Sequence, residues 1–492
     1  MSILFSNYPM NFHFPSPALI FALLIFLFMV IKIGWRNKTQ NQGPKLPPGP
    51  WKLPIIGNLH QLLGPLPHHT LRDLAKKHGP LMHLRLDRPW ALSAEIVGYG
   101  GINMTFSPYG QHWRQMRKTC MLGLLSSKRV NSFQLIREEE ASNLIQSISS
   151  ATSNLPINLT QKLFSWSNNI IARATFGNKI KDQERFISRL RKLMKLAGGL
   201  SIADCFPSSQ LAQVITGLRF QYESVRKEFD EIFDDIIEEH KQGSINMENS
   251  EGRWEEANLL DVIWALQQQG DLEQITNDCV KAIILDMFIG GTESTSTLME
   301  WVMAELMRNP RIMEKAQAEV RRVFGKKEKL DWRDTNELEY SKSVLKETLR
   351  LHPPGPILVP RECREKCEIE GYEIPIKTRI IINAWAIGTD PQHWDDPESF
   401  KPERFYGNPI DYKGTNFEFI PFGAGRRACP GITFAETNAL LLLSQLLYFF
   451  DWKLPNGMEP QDLDMTEEFG LTVHRRSELY LLPIPHFPSK TV

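Results

Sequence analysis

The sequence predicts a mainly α-helical fold with a small β-sheet region, built as one large domain. Apolar residues recur at helical spacing over long segments, of which 275–309 and 432–450 are the clearest. Strand-like runs are shorter and fewer, namely LMHLRL from residue 81, ILVPREC from 357, TRIIINAW from 378 and ELYLLP from 478. With 492 residues, 42% of them hydrophobic, the chain can bury a large core.

The amino-terminal segment predicts a membrane anchor. Residues 1–31 contain no Lys, Arg, Asp or Glu, and the apolar run reaches the length of about 20 residues that a bilayer span requires. A cleaved signal peptide is the alternative, but no basic stretch precedes the run and no small-x-small cleavage site follows it. Lys32, Arg36 and Lys38 follow instead and keep that flank in the cytosol. We therefore predict an uncleaved transmembrane anchor over residues 1–36.

The remaining chain predicts a spacer and one globular unit. Five prolines make residues 37–54 an extended, stiff linker, and residues 55–492 form the single large domain. Within that domain the polar stretch 238–258 predicts a solvated connection between two helices. The REEE run at 137–140 predicts an exposed helix face.

Charge and cysteine content narrow the function. Lys+Arg and Asp+Glu both count 57, so there is no broad basic field and we expect no nucleic-acid partner. Six cysteines are too few for a disulfide framework in a chain of this length, and we predict reduced thiols. Cys363 and Cys367 lie four residues apart without a nearby histidine, so we interpret them as structural rather than zinc-binding.

The segment FGAGRRACPG, residues 422–431, offers a candidate metal ligand. Taken alone, Cys429 is either a small buried hydrophobe or a ligand. It precedes a long apolar helix, whose free N–H groups and dipole favour the thiolate that binds metals. Glycines at 423, 425 and 431 let a flat cofactor approach the backbone, and arginines at 426 and 427 can meet acidic groups on it. These features suit haem with its propionates.

The same segment resembles a known family. Phe422, Gly425, Arg427, Cys429 and Gly431 match the haem-binding signature of the cytochromes P450, which are haem-thiolate monooxygenases. The resemblance implies the cytochrome P450 fold, haem b as cofactor and Cys429 as the axial thiolate ligand of the iron. It also implies that Phe422, Gly425, Arg427 and Gly431 contribute to the cofactor site.

Further matches follow in the order of the family. In KETLRLHPP and KPERF, Glu347, Arg350 and Arg404 are similar to the family's buried charged network, although a helical pair at i and i+3 can also be an exposed ion pair. In WRQMR, Trp113 and Arg117 lie four apart and are similar to the pair that meets a haem propionate. We assign a structural role to the first set and a cofactor-binding role to the second.

The long helix of residues 275–309 carries Gly290 and Gly291 at its middle. A glycine pair can serve close packing, or it can open the helix so that a small ligand and water fit. The family resemblance implies an oxygen-binding groove with Glu293, Ser294 and Thr295 as catalytic residues. Serine stands at 294 where the family normally has threonine. It keeps the hydroxyl but lacks the β-branch, so we expect activity with some uncoupling.

The substrate pocket is predicted from four separated stretches, and its residues are apolar. This favours a hydrocarbon-like substrate held by shape. Within the family the chain resembles plant terpenoid hydroxylases of the premnaspirodiene-oxygenase type, which implies a sesquiterpenoid or other terpenoid substrate, with an indole alkaloid as the next choice. The predicted lining residues are Ile102, Met287, Ile289, Ile357, Val359, Leu471 and Val473.

The resemblance implies an NADPH- and O2-dependent monooxygenase at the endoplasmic reticulum membrane, single-pass, with its catalytic domain in the cytosol. Because no GxGxxG fingerprint or flavin segment is present, electrons are expected from a separate NADPH–cytochrome reductase. Basic residues at 114, 117 and 118 are candidates for docking it, unless they form an ordinary solvated face. The alternatives are a haem-thiolate isomerase or dehydratase that needs no reductase, and a non-catalytic product of a shortened gene.

One departure from the family concerns length. Between LMHLRL and the Arg88-Pro89 dipeptide, related chains carry a strand and a short helix, roughly thirty residues in all. In this sequence Asp87 runs directly into Arg88. The loss is expected to expose a strand edge and shorten the loop over the substrate, whether it arose from a gene-model error, a splice form or deliberate alteration.

Overall fold

The computed structural model describes residues 45–53, 57–62, 64–85, 92–150, 155–198, 216–245, 257–268, 275–325 and 332–486. The predicted anchor over 1–36, half of the linker (37–44 and 54) and the junction at residues 87 and 88 lie outside these ranges.

Helices dominate the described chain, as predicted. Two π-helical turns, Met121–Leu125 and Ile289–Glu293, interrupt the helical series. The α-helices are α1 Leu59–Leu62, α2 Pro67–His78, α3 Leu92–Ile96, α4 Gln111–Cys120, α5 Ser127–Ser132, α6 Gln134–Ser149, α7 Leu159–Phe176, α8 Gln183–Gly198, α9 Leu218–Ile245, α10 Leu259–Gln268, α11 Asn277–Phe288, α12 Ser294–Arg308, α13 Pro310–Phe324, α14 Glu339–Leu351, α15 Ala384–Gly388 and α16 Ile432–Phe449.

The sheets are small and antiparallel. One has three strands in the order β1-β9-β6, and β2–β5, β3–β4 and β7–β8 form separate pairs. The strands are β1 Ile157–Asn158, β2 Arg361–Glu362, β3 Cys367–Ile369, β4 Tyr372–Ile374, β5 Arg379–Ile380, β6 Phe450–Lys453, β7 Glu467–Phe469, β8 Val473–Arg475 and β9 Tyr480–Pro485.

Helix α12 lies at the centre of the core. Residues 295–307 are all buried, and the helix packs against α7, α14, α16 and β8. Trp301 is fully buried, stacks on His352 at 4.0 Å between ring centroids, and donates its indole N–H to the carbonyl of Val473. The helix is buried on all sides, and its charged members Glu300 and Glu305 are buried with hydrogen-bond partners, Thr160 and His352 respectively.

Helix α16 is the other apolar core helix. Among the described helices only Ile432–Phe449 is long and apolar enough to cross a bilayer, and 67% of it is buried inside the protein. Its neighbours are α6, α12, α13 and α14. The helix therefore serves as core, and it brings the preceding cysteine segment against the centre of the fold.

One local prediction was wrong, and two were correct only in part. Residues 81–85 form no strand: His83 N–H donates to Pro48 O, and the amide of Arg85 donates to the side chain of Asn58. In TRIIINAW the strand stops at Ile380, because Asn383 caps α15 by accepting from the amide of Ala386. The predicted connection at 238–258 begins late, since α9 continues to Ile245.

The REEE run is also not an exposed face. Arg137 and Glu140 are buried, at 1% and 2% exposure. Glu140 accepts hydrogen bonds from Asn169 and Arg173 of α7 and pairs with Lys179. Two of the four residues in the run, Arg137 and Glu140, are therefore buried, and Glu140 joins α6 to α7. The local sequence alone does not reveal this.

Candidate active site

A tight loop holds Cys429 at the start of α16. Within this cysteine loop, residues 420–431, the amide of Cys429 donates to Phe422 O at 2.9 Å and that of Ala428 to Gly425 O at 3.0 Å. Gly423 and Gly425 have φ of 70° and 71°, which favours glycine. A Cβ added to Gly425 would meet nothing within 4 Å, so open space lies against the loop there.

Cys429 lies at the amino-terminal end of α16, and part of its surface is left uncovered by neighbouring residues. Surrounding protein raises the pKa of the Cys429 thiol through desolvation, whereas a backbone hydrogen bond from Gly431 and the charge of Arg117 act in the opposite direction. In the protein without a metal, desolvation of the thiolate thus outweighs the stabilisation expected from the helix terminus. Bound iron would reverse the balance, because a coordinating thiol is deprotonated.

Two arginines flank the indole of Trp113. The guanidinium carbon of Arg427 lies 4.3 Å and that of Arg117 5.5 Å from the ring centroid. Arg117 of α4 donates to Ala428 O of the cysteine loop at 3.1 Å. Arg427 of the loop donates to Ser107 O, shortly before α4, at 2.8 Å. The two bonds hold the cysteine loop against α4 and the residues that precede it. The structure thus brings together three of the residues predicted to bind the cofactor.

Arg361 is a further member that sequence reasoning missed. Its guanidinium donates to Ala424 O at 3.3 Å and lies 3.7 Å from the position of a Cβ on Gly423. Burial, followed by the charges of Arg361 and Arg117, lowers the pKa of Arg427. The one sequence signal for Arg361 is its place in the predicted strand ILVPREC.

Arg117, Arg361 and Arg427, hereafter the arginine cluster, either belong to the cysteine loop or donate to its carbonyls. Among the described residues none of the three makes an ion pair with a carboxylate. Three neighbouring guanidiniums without acidic partners, beside an open space and an accessible thiol, fit a flat cofactor with carboxylate groups and a metal.

The π-helical turn Ile289–Glu293 opens the hydrogen-bond ladder between α11 and α12, as the glycine pair predicts. The two glycines do different work. Gly290 is exposed and a Cβ there would meet nothing within 4 Å, whereas a Cβ on Gly291 would lie 2.3 Å from Ile171 of α7. Gly291 therefore allows close helix packing, and Gly290 leaves space on the opposite side.

Hydroxyl groups satisfy the carbonyls that the π turn frees. Ser294 donates to Gly290 O at 2.5 Å, and Ser167 donates to Gly291 O at 2.9 Å. Ser294 is half-buried and sits one turn after the exposed Gly290, while Thr295 is only 2% exposed. Ser294, rather than its neighbour, therefore offers a hydroxyl beside the open space.

Glu293 lies on the inner side of the same turn. It is 8% exposed, and its Oε2 has no hydrogen-bond partner among the described residues. Burial raises the pKa of Glu293 to about 7, against the lowering effects of Thr472, His474 and Arg191. A buried carboxyl with this pKa exchanges a proton near neutral pH.

Glu347, Arg350 and Arg404 form a buried network. Arg350 donates from Nε and from its terminal amino group to both oxygens of Glu347, at 2.8 and 2.7 Å, and Arg404 Nε donates to Oε1 at 3.2 Å. Arg350 also reaches the carbonyls of Gly388 and Pro397. Glu347 and Arg350 are 0% and 1% exposed and the side chain of Arg404 is 12% exposed, so the network joins α14 to the chain before the cysteine loop with little contact with solvent.

The predicted substrate-lining residues fall into three groups by exposure. Met287 and Val473 are buried in the core, and Val359 and Leu471 are exposed. The half-buried residues are Ile102, Ile289 and Ile357. Their role in a pocket stays a prediction, and the half-buried set has the surface available for a ligand.

Asp286 on α11 is a second residue that sequence reasoning missed. It accepts hydrogen bonds from Asn103 Nδ2 at 2.8 Å and from the amide and hydroxyl of Thr105 at 3.2 and 3.1 Å. In the same segment, Ile102 O accepts a hydrogen bond from the imidazole of His112, and Met104 O accepts one from the indole N–H of Trp113. Residues 102–107 therefore lie between α11 and the arginine cluster and are hydrogen-bonded to both.

The fold and the site define a haem-thiolate protein. The chain belongs to the cytochrome P450 family, whose family model matches residues 85–481. It is accordingly a cytochrome P450 monooxygenase, with haem-thiolate iron as its cofactor.

Individual relatives agree with this membership. The chain is 51% identical to desmethyl-deoxy-podophyllotoxin synthase of Sinopodophyllum hexandrum, over 94% of this chain and 95% of that protein. It is 48% identical to premnaspirodiene oxygenase of Hyoscyamus muticus, over 96% and 98%. A zebrafish cytochrome P450 solved with abiraterone matches with a TM-score of 0.69 and 25% identity, over 86% of this chain and 100% of that one. The predicted fold and the predicted resemblance are confirmed.

The alignments also show an internal difference in length. The alignment with the Sinopodophyllum protein runs over 489 positions, yet 94% of 492 residues is only about 462. The alignment with premnaspirodiene oxygenase runs over 498 positions against about 472 residues of this chain. Each alignment therefore contains roughly 26 positions at which the relative has a residue and this chain has none. This difference is close to the predicted loss. Its position at Asp87 stays a prediction.

Proposed function

We propose that this protein is an NADPH- and O2-dependent monooxygenase that hydroxylates or oxidises a small terpenoid, most simply a sesquiterpenoid. Premnaspirodiene oxygenase, at 48% identity, and 5-epiaristolochene 1,3-dihydroxylase of Nicotiana tabacum, at 46%, support that substrate class. The predicted lining residues are all apolar, which agrees with that class, since an apolar pocket selects by shape rather than by hydrogen bonding.

The residues of the cysteine loop would hold the cofactor. Cys429 would supply the axial thiolate, and the arginine cluster would bind the propionates. When bound, haem supplies oxygen binding and the insertion of one oxygen atom into a C–H bond. Gly425 would leave room for the ring, and Trp113 would help to orient Arg117 and Arg427, whose guanidinium groups lie close to its indole.

Ser294 and Glu293 would manage protons beside the oxygen site. The Ser294 hydroxyl is anchored on Gly290 O in this structure, and rotation about χ1 would aim it at a ligand instead. Glu293, with a pKa of about 7, can donate and recover a proton at neutral pH. Thr295 is buried and would act through packing, not through its hydroxyl.

A basic face beside the arginine cluster supports reduction by a separate partner. Tyr109 is surrounded by the guanidinium carbons of Arg364 at 5.0 Å, Arg426 at 5.5 Å and Arg114 at 5.8 Å from its ring centroid. All three arginines are exposed. We propose that this face receives an acidic NADPH–cytochrome reductase at the endoplasmic reticulum, to which the amino-terminal anchor would hold the protein.

The accessible Cys429 thiol beside the arginine cluster carries this proposal. The test uses microsomes that contain the protein and a plant reductase, supplied with sesquiterpene hydrocarbons under ¹⁸O2. We expect a product with one ¹⁸O atom that requires NADPH and reductase and is absent with Cys429→Ser. Conversion of a hydroperoxide without NADPH, with no ¹⁸O uptake, would instead establish an isomerase or dehydratase.

A further inference from the structure

Two cysteine side chains lie together where the β2–β5 pair meets the β3–β4 hairpin. The Sγ atoms of Cys363 and Cys367 are 3.7 Å apart. Cys363 is 8% exposed and donates its thiol to Glu365 O at 2.9 Å, whereas Cys367 is exposed. The buried thiol is therefore adjacent to one that solutes can reach.

The backbone around the pair is already fixed. The amide of Cys363 donates to Thr378 O at 2.8 Å and its carbonyl accepts from Lys377 at 2.7 Å, which extends the β2–β5 ladder. Cys367 begins β3 and pairs with Ile374 of β4. Closing the sulfur separation to the roughly 2.05 Å of a disulfide thus requires side-chain rotation within one short turn.

The surroundings favour a disulfide over a metal site. Among the described residues, the one group of three or more His, Cys, Asp or Glu side chains with metal-ligand spacing is His68, His69 and Glu467, so no third such ligand joins the cysteine pair. The other described cysteines are separate: Cys120 and Cys279 are buried, and Cys429 belongs to the cysteine loop.

We propose that Cys363 and Cys367 are a reversible thiol–disulfide pair that responds to hydrogen peroxide, independently of the substrate. The hydrogen bond to Cys363 raises the pKa of the exposed Cys367 thiol, so the minor thiolate form reacts. It attacks a peroxide oxygen, an S–O bond forms, the O–O bond breaks and hydroxide leaves as water with the thiol proton. The Cys363 thiolate then attacks the Cys367 sulfur, the S–S bond forms, and the S–O bond breaks to release a second water. Both sulfurs are oxidised and one peroxide is reduced.

A low-molecular-weight thiol reverses the step. Two glutathione molecules reduce the disulfide by exchange through a mixed disulfide and leave as glutathione disulfide. Cys363 lies two residues after Arg361, whose guanidinium donates to Ala424 O. Oxidation would therefore lock the turn that follows one member of the arginine cluster.

Peptide mapping of the purified holoprotein tests the proposal. Trypsin cuts after Arg361, Arg364, Lys366 and Lys377, so the two cysteines separate into ECR and CEIEGYEIPIK unless a disulfide joins them. After equimolar peroxide and alkylation of free thiols, we expect the joined peptide, two hydrogens lighter than the sum, to rise at least tenfold and to vanish after glutathione treatment.

Single variants decide whether the pair is specific. Cys363→Ser and Cys367→Ser should each abolish the joined peptide, while the matched control Cys279→Ser should retain it. Alkylation of both cysteines after peroxide would overturn the proposal. So would irreversible sulfonic acid at Cys367 without the joined peptide, or pairing of either cysteine with another thiol.

Discussion

Removing the charge of Glu347 tests the buried network most severely. The carboxylate accepts two hydrogen bonds from Arg350, one from Arg404 and one from the amide of Lys401, and it is completely buried. Glu347→Gln replaces one acceptor oxygen by an amide that faces donors, and it leaves the Arg350 guanidinium buried without its counter-ion. Breaking a buried pair in this way costs about 3–5 kcal/mol of folding free energy.

The assay is denaturant unfolding of the purified protein, followed by circular dichroism, together with haem content per chain. The matched control is Glu339→Gln at the exposed start of the same helix α14, for which we expect a change within about 0.5 kcal/mol. Glu347→Gln should unfold at clearly lower denaturant and retain less haem. Equal unfolding midpoints for the two variants would refute the reasoning that the network holds the fold.

Three further outcomes follow from the site. Burial raises the pKa of Asp286 to about 6. Between about pH 4 and pH 6 the folded protein therefore keeps a proton that the unfolded chain releases. The resulting stabilisation is complete below about pH 4 and is lost as pH rises through 6. The difference in unfolding free energy between wild type and Asp286→Asn should thus fall by roughly 1 kcal/mol from pH 5 to 7.5, and a constant difference would contradict this. Ser294→Thr, which restores the β-branch, should raise the ratio of product formed to oxygen consumed; a wild-type ratio already near one would rule out uncoupling. Arg361→Gln should lose haem to an acceptor protein about tenfold faster than the exposed control Arg364→Gln, and equal rates would remove Arg361 from the propionate site.

The site was largely predictable where chemistry depends on local spacing. The cysteine loop, the glycine pair and the helix after Cys429 follow from a few adjacent residues, because turns, π openings and helix starts are local. The fold class followed from periodicity, since long helical segments leave a repeated apolar pattern.

The missed residues depend on long-range contacts. Arg361 meets the cysteine loop 63 residues later, and Asp286 holds Asn103, which is 183 residues earlier. The sequence predicted that Glu140 is solvated, whereas in the structure it accepts hydrogen bonds from Asn169 and Arg173 of α7. The strand expected in LMHLRL did not form in residues 81–85, where bonds to Pro48 and Asn58 replace a ladder. No local pattern encodes such partners.

The central claim is that Cys429 binds haem iron through its thiolate. The direct measurement is the carbon-monoxide difference spectrum of the reduced holoprotein, beside that of Cys429→Ser. The account predicts the red-shifted band of a thiolate ligand in the wild type and its loss in the variant. An ordinary haem spectrum that Cys429→Ser leaves unchanged would contradict it.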